Sequence, residues 1–394
     1  MDTTEFAELL STEGLRLLDS LPHYDSRADV VASVSELRKR GHSAALVAAV
    51  LSQSRLRARA EAKFGPFASR MLFTEAGLEQ ATRLRVAAVH AGRFRTAGLD
   101  RIADLGSGIG GDAMAIAGLD LEVTAVEIDE VTAAIAAYNL APWEKATVVN
   151  ADVTDFDLAG FDGVYLDPAR RTAGHRNTSR ITDPADYSPP LDFALGVAGR
   201  LPTGIKLGPG IDRGLIPDNA EAQWVSVDHE VVELGLWFGS LARAGMRRSA
   251  LVIGDHGTAE LSADADSQDV EAVPLGEFLY EPDGAVIRAR LIGDLARRLG
   301  AGMLSEGIAY LTSDRAVGTP FATGFRVVEA LSFDERVIRK ALSARGIGSL
   351  EIKKRGVDVD PARLRTRLRL KGPGSATLFV TRVAGRHTAL LAER

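Results

Sequence analysis

RIADLGSGIGGD, residues Arg101 to Asp112, is the stretch on which the reading of this chain turns. An apolar-leaning run, Ala97–Ile102, leads into it, and the good helix formers of Ala113–Leu119 follow it. That order is strand, glycine turn, helix start. Gly106, Gly108 and Gly110 let the backbone bend sharply and pass close to a ligand without Cβ atoms in the way. The helix that follows directs unpaired N–H groups at whatever sits above the turn. Gly106, Gly108 and Gly111 also satisfy GxGxxG, a dinucleotide fingerprint that is weak when it stands alone. Two acids separate the readings. Asp104 stands at the mouth of the strand, where dinucleotide sites are apolar, and can meet a cationic amino group. Glu127, in Val123–Asp129 (VTAVEID), follows 23 positions later, a helix plus a strand away. It is placed to accept from both hydroxyls of a ribose.

The totals bound the rest. At 394 residues, two or three domains are expected. The composition, 46% hydrophobic and 25% charged, is that of a soluble globular protein, and the net charge of −6 confines any nucleic-acid contact to a local patch. The sequence has no cysteine, which excludes disulfides and cysteine–zinc sites and is compatible with a cytoplasmic location. The seven histidines are scattered without metal-ligand spacing, so no metal is expected. The start, MDTTEFAELL, is acidic and unlike a signal peptide. Apolar runs such as Ala44–Leu51 are too short to span a bilayer, so no membrane is expected.

Residues 1–95 read as a helical N-terminal domain, with apolar residues at helical spacing. Its basic run, Arg55, Arg57, Arg59 and Lys63, reads as a solvated helix face or a nucleic-acid contact. Phe73 precedes Thr74, a good N-cap, in a segment feeding into the glycine turn. The aromatic can close over a bound ligand or belong to ordinary packing. Strands expected at Arg101–Leu105, Glu122–Glu127, Ala146–Asn150, Gly163–Asp167, Gly204–Leu207, Gln223–Val227 and Ser249–Ile253 make a Rossmann-like, doubly wound, seven-stranded α/β sheet within residues 96–315. Ala259–Asp269 reads as a hairpin tip or linker, a helix is expected near Val286–Leu299, and residues 255–317 can belong to this domain or to the next one. Residues 318–394 read as a small α+β domain, β-α-β-α-β-β, with Asp360-Pro361 opening its second helix. Lysine and arginine exceed acids there, the footprint of phosphate-backbone binding or else a soluble basic surface, and Lys353-Lys354-Arg355-Gly356 is the piece expected to touch RNA.

Asp-x-Gly-x-Gly-x-Gly followed by the strand-end acid resembles class I S-adenosylmethionine-dependent methyltransferases. With FTEAGLEQAT, VEID, DPARR and the C-terminal IKKRGVDVDP, nearly the whole chain resembles a bacterial family of such enzymes carrying a THUMP-like C-terminal domain. More distantly, its first two domains resemble trimethylguanosine synthase. The resemblance implies S-adenosyl-L-methionine as cofactor and RNA, transfer or ribosomal, as substrate. The cofactor residues are then Asp104, Gly106, Ser107, Gly108, Gly110 and Asp112 in the turn, Glu127 and Ile128 after the second strand, and Asp152 and Val153 after the third. Phe73 and Thr74 would cover them. Asp152 can accept from the adenine amino group or be a solvated turn acid.

The fourth strand ends Asp167-Pro168-Ala169-Arg170, which resembles the (Asp/Asn)-Pro-Pro-aromatic motif of enzymes that methylate amino groups of bases. An exocyclic amine is a poor nucleophile. A side-chain oxygen and a proline-fixed carbonyl that accept its hydrogens aim its lone pair without a strong base. Arg170 stands where the family carries an aromatic and can stack on a base or hold a phosphate. Asp167, Pro168 and Arg170 are the expected catalytic residues, and the polar loop Thr172–Pro190 the expected substrate contact. The other readings are an NAD(P) oxidoreductase, an RNA-binding protein with a silent cofactor pocket, and a small-molecule methyltransferase.

Overall fold

A computed structural model of the protein describes residues 3–21, 34–168, 187–255 and 257–394. The chain divides into two compact units, Met1–Leu207 with Leu236–Ala242, and Gly208–Gly235 with Arg243–Arg394.

The first unit begins with helices α1 (Thr3–Leu10), α2 (Thr12–Ser20) and α3 (Ala44–Phe64), then α4 (Glu75–Gln80) and α5 (Leu84–Thr96). Ser11, Ser43 and Thr74 cap α2, α3 and α4, each side-chain oxygen accepting a backbone N–H of the first turn. These helices do not form a core of their own. Leu9, Val50, Phe64 and Phe73 share one buried cluster with Ile109, Met114 and Ile116 of the glycine turn and its helix, so the division expected at residue 95 falls inside a single core.

The strands β1 (Arg101–Leu105), β2 (Glu122–Glu127), β3 (Ala146–Asn150), β4 (Gly163–Leu166) and β5 (Thr203–Leu207) lie in the order β3-β2-β1-β4-β5, all parallel. Helices α6 (Gly111–Gly118), α7 (Glu130–Leu140) and α8 (Leu191–Ala198) connect them. This is the expected doubly wound arrangement, and it places every strand's carboxyl end on one side. The next strand after β5, β7 (Glu230–Phe238), was not expected from sequence.

The end of β7 belongs to the first unit and its start to the second, whose part of the sheet continues with β6 (Glu221–Val227), β8 (Arg248–Gly254) and β9 (Gly257–Ala263). The acidic run read as a linker begins within β9, antiparallel to β8. A separate sheet contains β10 (Phe278–Pro282), β11 (Gly302–Ser305), β12 (Ile308–Ser313), β13 (Ala322–Ser332), β14 (Ile347–Lys354), β15 (Gly374–Val383) and β16 (Arg386–Glu393), in the order β11-β12-β10-β13-β16-β15-β14. A boundary at 315–318 therefore cuts through this sheet, because β10 pairs with both β12 and β13. The expected single helix near Val286–Leu299 is two, α9 (Gly284–Arg288) and α10 (Ile292–Leu299), parted at Arg290 with φ 55°.

Helices α11 (Glu335–Ala344) and α12 (Pro361–Leu368) bury Ile338, Leu342, Leu364 and Leu368 in the core that β14, β15 and β16 help to build. A second core holds Leu279, Ile308, Tyr310, Phe325, Phe379 and Leu390. The sheet rolls until its last strand meets its first ones. Lys353 of β14 pairs with Glu281 of β10 at 2.6 Å. Just beyond, the Arg355 guanidinium lies 4.8 Å over the Tyr310 ring and donates to the Ala309 carbonyl at 2.7 Å. Two of the three cations in the Lys353–Gly356 run are thus spent closing the sheet, while Lys354 is exposed.

Candidate active site

Sheet register assembles the site. Asp104 of β1 lies across from Tyr165 of β4, which lies across from Gly204 of β5. Side chains two residues apart share a face, so Gly106, Asp167 and Lys206 extend the same row at the carboxyl ends. Gly204 is obligatory, since a Cβ there would come within 2.6 Å of Trp237 Cζ3. Gly106, at φ 80°, lets the turn start with a Cβ position 3.5 Å from the Asp167 carbonyl oxygen. The glycine turn and the Asp-Pro corner are neighbours.

A chain of buried polar groups runs beneath them. His90 Nδ1 lies 2.8 Å from Asp112 Oδ1 and 2.9 Å from the Tyr165 hydroxyl. Thr82 hydrogen-bonds to Asp112, and Lys206 Nζ donates to Thr82 Oγ1 at 2.9 Å. Lys206 also pairs with Asp167 Oδ2. Asp104 is 1% exposed, and its Oδ2 has no hydrogen-bond partner among the described residues. Burial, reinforced by the Asp112 and Asp167 charges, pushes its carboxyl well above the usual carboxylate range. Burial pushes Asp112 the same way, but the His90 hydrogen bond and charge, with Lys206 and Thr82, outweigh it and leave Asp112 below its ordinary value. Two adjacent carboxyls are thereby driven in opposite directions, Asp104 up and Asp112 down.

Glu127 reaches back to the turn. Its Oε2 accepts from Gly108 N at 3.0 Å and its Oε1 from Asp129 N at 2.9 Å, while burial raises its pKa. Ile128 is 61% exposed beside it, an apolar surface open to a ring. Ser107 Oγ is buried without a partner among the described residues. Gly110, at φ 84°, caps α6. Asp152 is exposed, and its Oδ1 accepts from both Thr154 N and Thr154 Oγ1, so one oxygen is committed to a turn. Val153 next to it is buried. Arg170, with the rest of residues 169–186, lies outside the described residues.

The Phe73 side chain is fully buried and packs on Phe64 with ring centroids 5.8 Å apart. Thr74 is the cap of α4, its Oγ1 accepting from Gly77 N. The segment containing them does cover the glycine turn. Asn139 of α7 donates to the carbonyls of Leu72 and Ile109 and accepts from Leu72 N, tying Met71–Phe73 to the turn. Gln53 holds both peptide groups of Phe73. The basic run on α3 is engaged by groups within this unit. Arg57 binds the Met71 carbonyl and Asp19, Arg55 and Arg59 pair with Glu75, and Lys63 donates to the carbonyls of Leu78, Glu79 and Ala81. Burial, with Lys206 nearby, lowers Lys63 to about 8.

A cationic amino group fits the unpaired Asp104 oxygen, and hydroxyls fit Glu127. Among the described residues no cluster of His, Cys, Asp or Glu could hold a metal ion, and no helix is long and apolar enough to cross a membrane. Sequence comparison matches the chain to an S-adenosylmethionine-dependent methyltransferase of Mycobacterium tuberculosis, described as uncharacterized and found in two strains. It is 37% identical over 338 residues, covering 83% of this chain and 90% of the relative. The chain belongs to this methyltransferase family. The S-adenosylmethionine-dependent methyltransferase assignment makes S-adenosylmethionine the cofactor and the protein an enzyme. Residues 322–394 of this methyltransferase match a THUMP domain-like model, and residues 2–60 match a domain of unknown function. Its fold is shared with a putative methyltransferase from Porphyromonas gingivalis W83, at TM-score 0.68 and 21% identity, covering 93% of this chain and 98% of that one.

Proposed function

We propose that this enzyme methylates a base nitrogen, an amino group in RNA, at the corner made by Asp167 and Pro168. The observation that carries this reading is the adjacency of that corner to the glycine turn, with the Asp167 carbonyl 3.5 Å from the space a Gly106 Cβ would fill. The cofactor, when bound, supplies a methyl group on a sulfonium, whose carbon–sulfur bond breaks as the new nitrogen–carbon bond forms. Asp104 would hold its amino group, Glu127 its ribose hydroxyls, and Ile128, Asp152 and Val153 its adenine. The turn residues Gly106, Ser107, Gly108 and Gly110 admit its close approach, and Asp112 stands behind them.

On the acceptor side, Asp167 and its carbonyl take the hydrogens of the amine and keep its lone pair directed at the methyl. The proton lost by the nitrogen then leaves to solvent. The contribution is orientation and electrostatics. Arg170 would meet the base or its phosphate from the loop after Asp167. The THUMP domain-like segment, with exposed Arg336, Arg339 and Lys340 on α11, supports RNA, transfer or ribosomal, as the polyanion bound. A cytoplasmic location agrees with such a substrate.

The test is methyl incorporation from labelled cofactor into RNA from cells lacking the protein. Asp167→Ala is expected to lower incorporation about 100-fold or more. Binding of S-adenosylhomocysteine, followed by calorimetry, should stay within about twofold of wild type. Loss of both together would move the role of Asp167 to the cofactor.

A further inference from the structure

We infer that Lys206 is a positioning residue for the transfer, holding the Asp167 carboxylate in the plane from which it accepts the amine. This rests on the proposed role of Asp167 and deepens it. Asp167 follows the last residue of β4, at the strand's carboxyl end. Its side chain has a choice of rotamers, and the choice decides where its oxygens point. Lys206 stands beside it in the row set by β4 and β5. The lysine side chain is 12% exposed and that of Asp167 29%, so water screens their pairing little.

The ammonium does not act alone. It donates to Thr82 Oγ1 as well as to Asp167 Oδ2, and Thr82 in turn binds Asp112 in the first turn of α6. The acceptor corner is thereby tethered to the helix that opens above the glycine turn. Lys63 is a second lysine whose charge reaches both groups, but its protons are committed to three carbonyls around the end of α4. It cannot replace Lys206. With Oδ2 fixed by the ammonium, rotation about the carboxylate bond is arrested, and the direction of Oδ1 is set before any acceptor arrives.

The test compares Lys206→Met, Lys206→Arg, Asp167→Asn and the double variant Lys206→Met/Asp167→Asn. With RNA from cells lacking the protein, Lys206→Met is expected to lower kcat about 100-fold at nearly constant KM. Because the Lys206 charge also lowers the Asp104 carboxyl, S-adenosylhomocysteine affinity should fall modestly while kcat falls far more, and Lys206→Arg should recover both. In the Asp167→Asn background Lys206→Met should add little further loss. Equal losses in both backgrounds would overturn the inference, because a general packing role does not depend on Asp167. A crystal structure of Lys206→Met with S-adenosylhomocysteine gives a readout free of any acceptor. It should show the Asp167 carboxylate turned from its present position, and a carboxylate left in place would also overturn the inference. If Lys206→Met does not fold, Lys206→Gln takes its place in each measurement. A wild-type enzyme that methylates no RNA would refute the RNA reading, while the carboxylate position would still decide the role of Lys206.

Discussion

Asp104 combines complete burial with an oxygen unpaired among the described residues, and its raised pKa makes a proton compete with any cation arriving there. Its folded-state pKa lies above the unfolded value of about 3.9, so the folded state carries the extra proton. This group's contribution to stability is therefore greatest below about pH 4 and falls as pH rises towards the raised pKa. Cofactor binding runs the other way. Affinity for S-adenosylhomocysteine is expected to rise with pH until the carboxyl ionises unaided, then level off. Below that point, calorimetry in buffers of different ionisation enthalpy should detect proton release, which Asp104→Asn should abolish along with most of the affinity. The positions of Asp104 and Glu127 near the carboxyl ends of β1 and β2 were legible because they follow from spacing along a strand–helix–strand unit. Thr82, His90 and Tyr165 were not, because they come from a loop, a helix and a strand that only the folded sheet brings beneath the turn. A lone histidine in a sequence gives no sign of the carboxylate it will meet.

Met71–Phe73 shows how an element can be held without being a strand. Apart from the Met71 N–H, which donates to the Ala68 carbonyl, its peptide groups are satisfied by the side chains of Gln53, Arg57 and Asn139. Removing one of these leaves buried peptide groups without partners, at about 1–3 kcal/mol each. Asn139→Ala is expected to lower stability by that order in denaturant titrations. It should also weaken S-adenosylhomocysteine binding, since Asn139 anchors the Ile109 carbonyl in the glycine turn. A variant that loses stability but keeps full affinity would show the turn to be independent of its cover. The hairpin into β7 escaped the sequence for a local reason. Asp228 and His229 both adopt positive φ, 49° and 69°, without the glycine or asparagine that usually announces such a turn. Most of β7 is buried, so alternation could not reveal it either. By contrast α11, β14, α12, β15 and β16 were read nearly to their ends, because caps such as Asp334 and Asp360 and turns such as Ala384-Gly385 punctuate them.

Across the whole molecule, the charge inventory of the C-terminal region overstates what is left for a partner. Arg339→Glu with Lys340→Glu, on the exposed side of α11, is expected to weaken RNA binding and to flatten its dependence on salt, by about one unit of slope for each phosphate no longer engaged. Lys353→Glu with Arg355→Glu should act first on folding, seen as a lowered melting temperature, since those side chains close the rolled sheet. Removing residues 318–394 is expected to yield insoluble protein on expression. It strips β13 from β10 and takes Phe325, Phe379 and Leu390 from a core shared with Leu279, Ile308 and Tyr310. Tests of the basic region are therefore better made by charge reversal than by truncation. The position of β16 carries this further. Arg386–Glu393 lies between β13 and β15, in the interior of its sheet, although it is the final strand along the chain. During synthesis, β13 must wait on the ribosome for a second partner encoded roughly sixty codons later. At about 5–20 residues per second that is several seconds of exposed apolar surface, so this unit is where a holding chaperone would find its work.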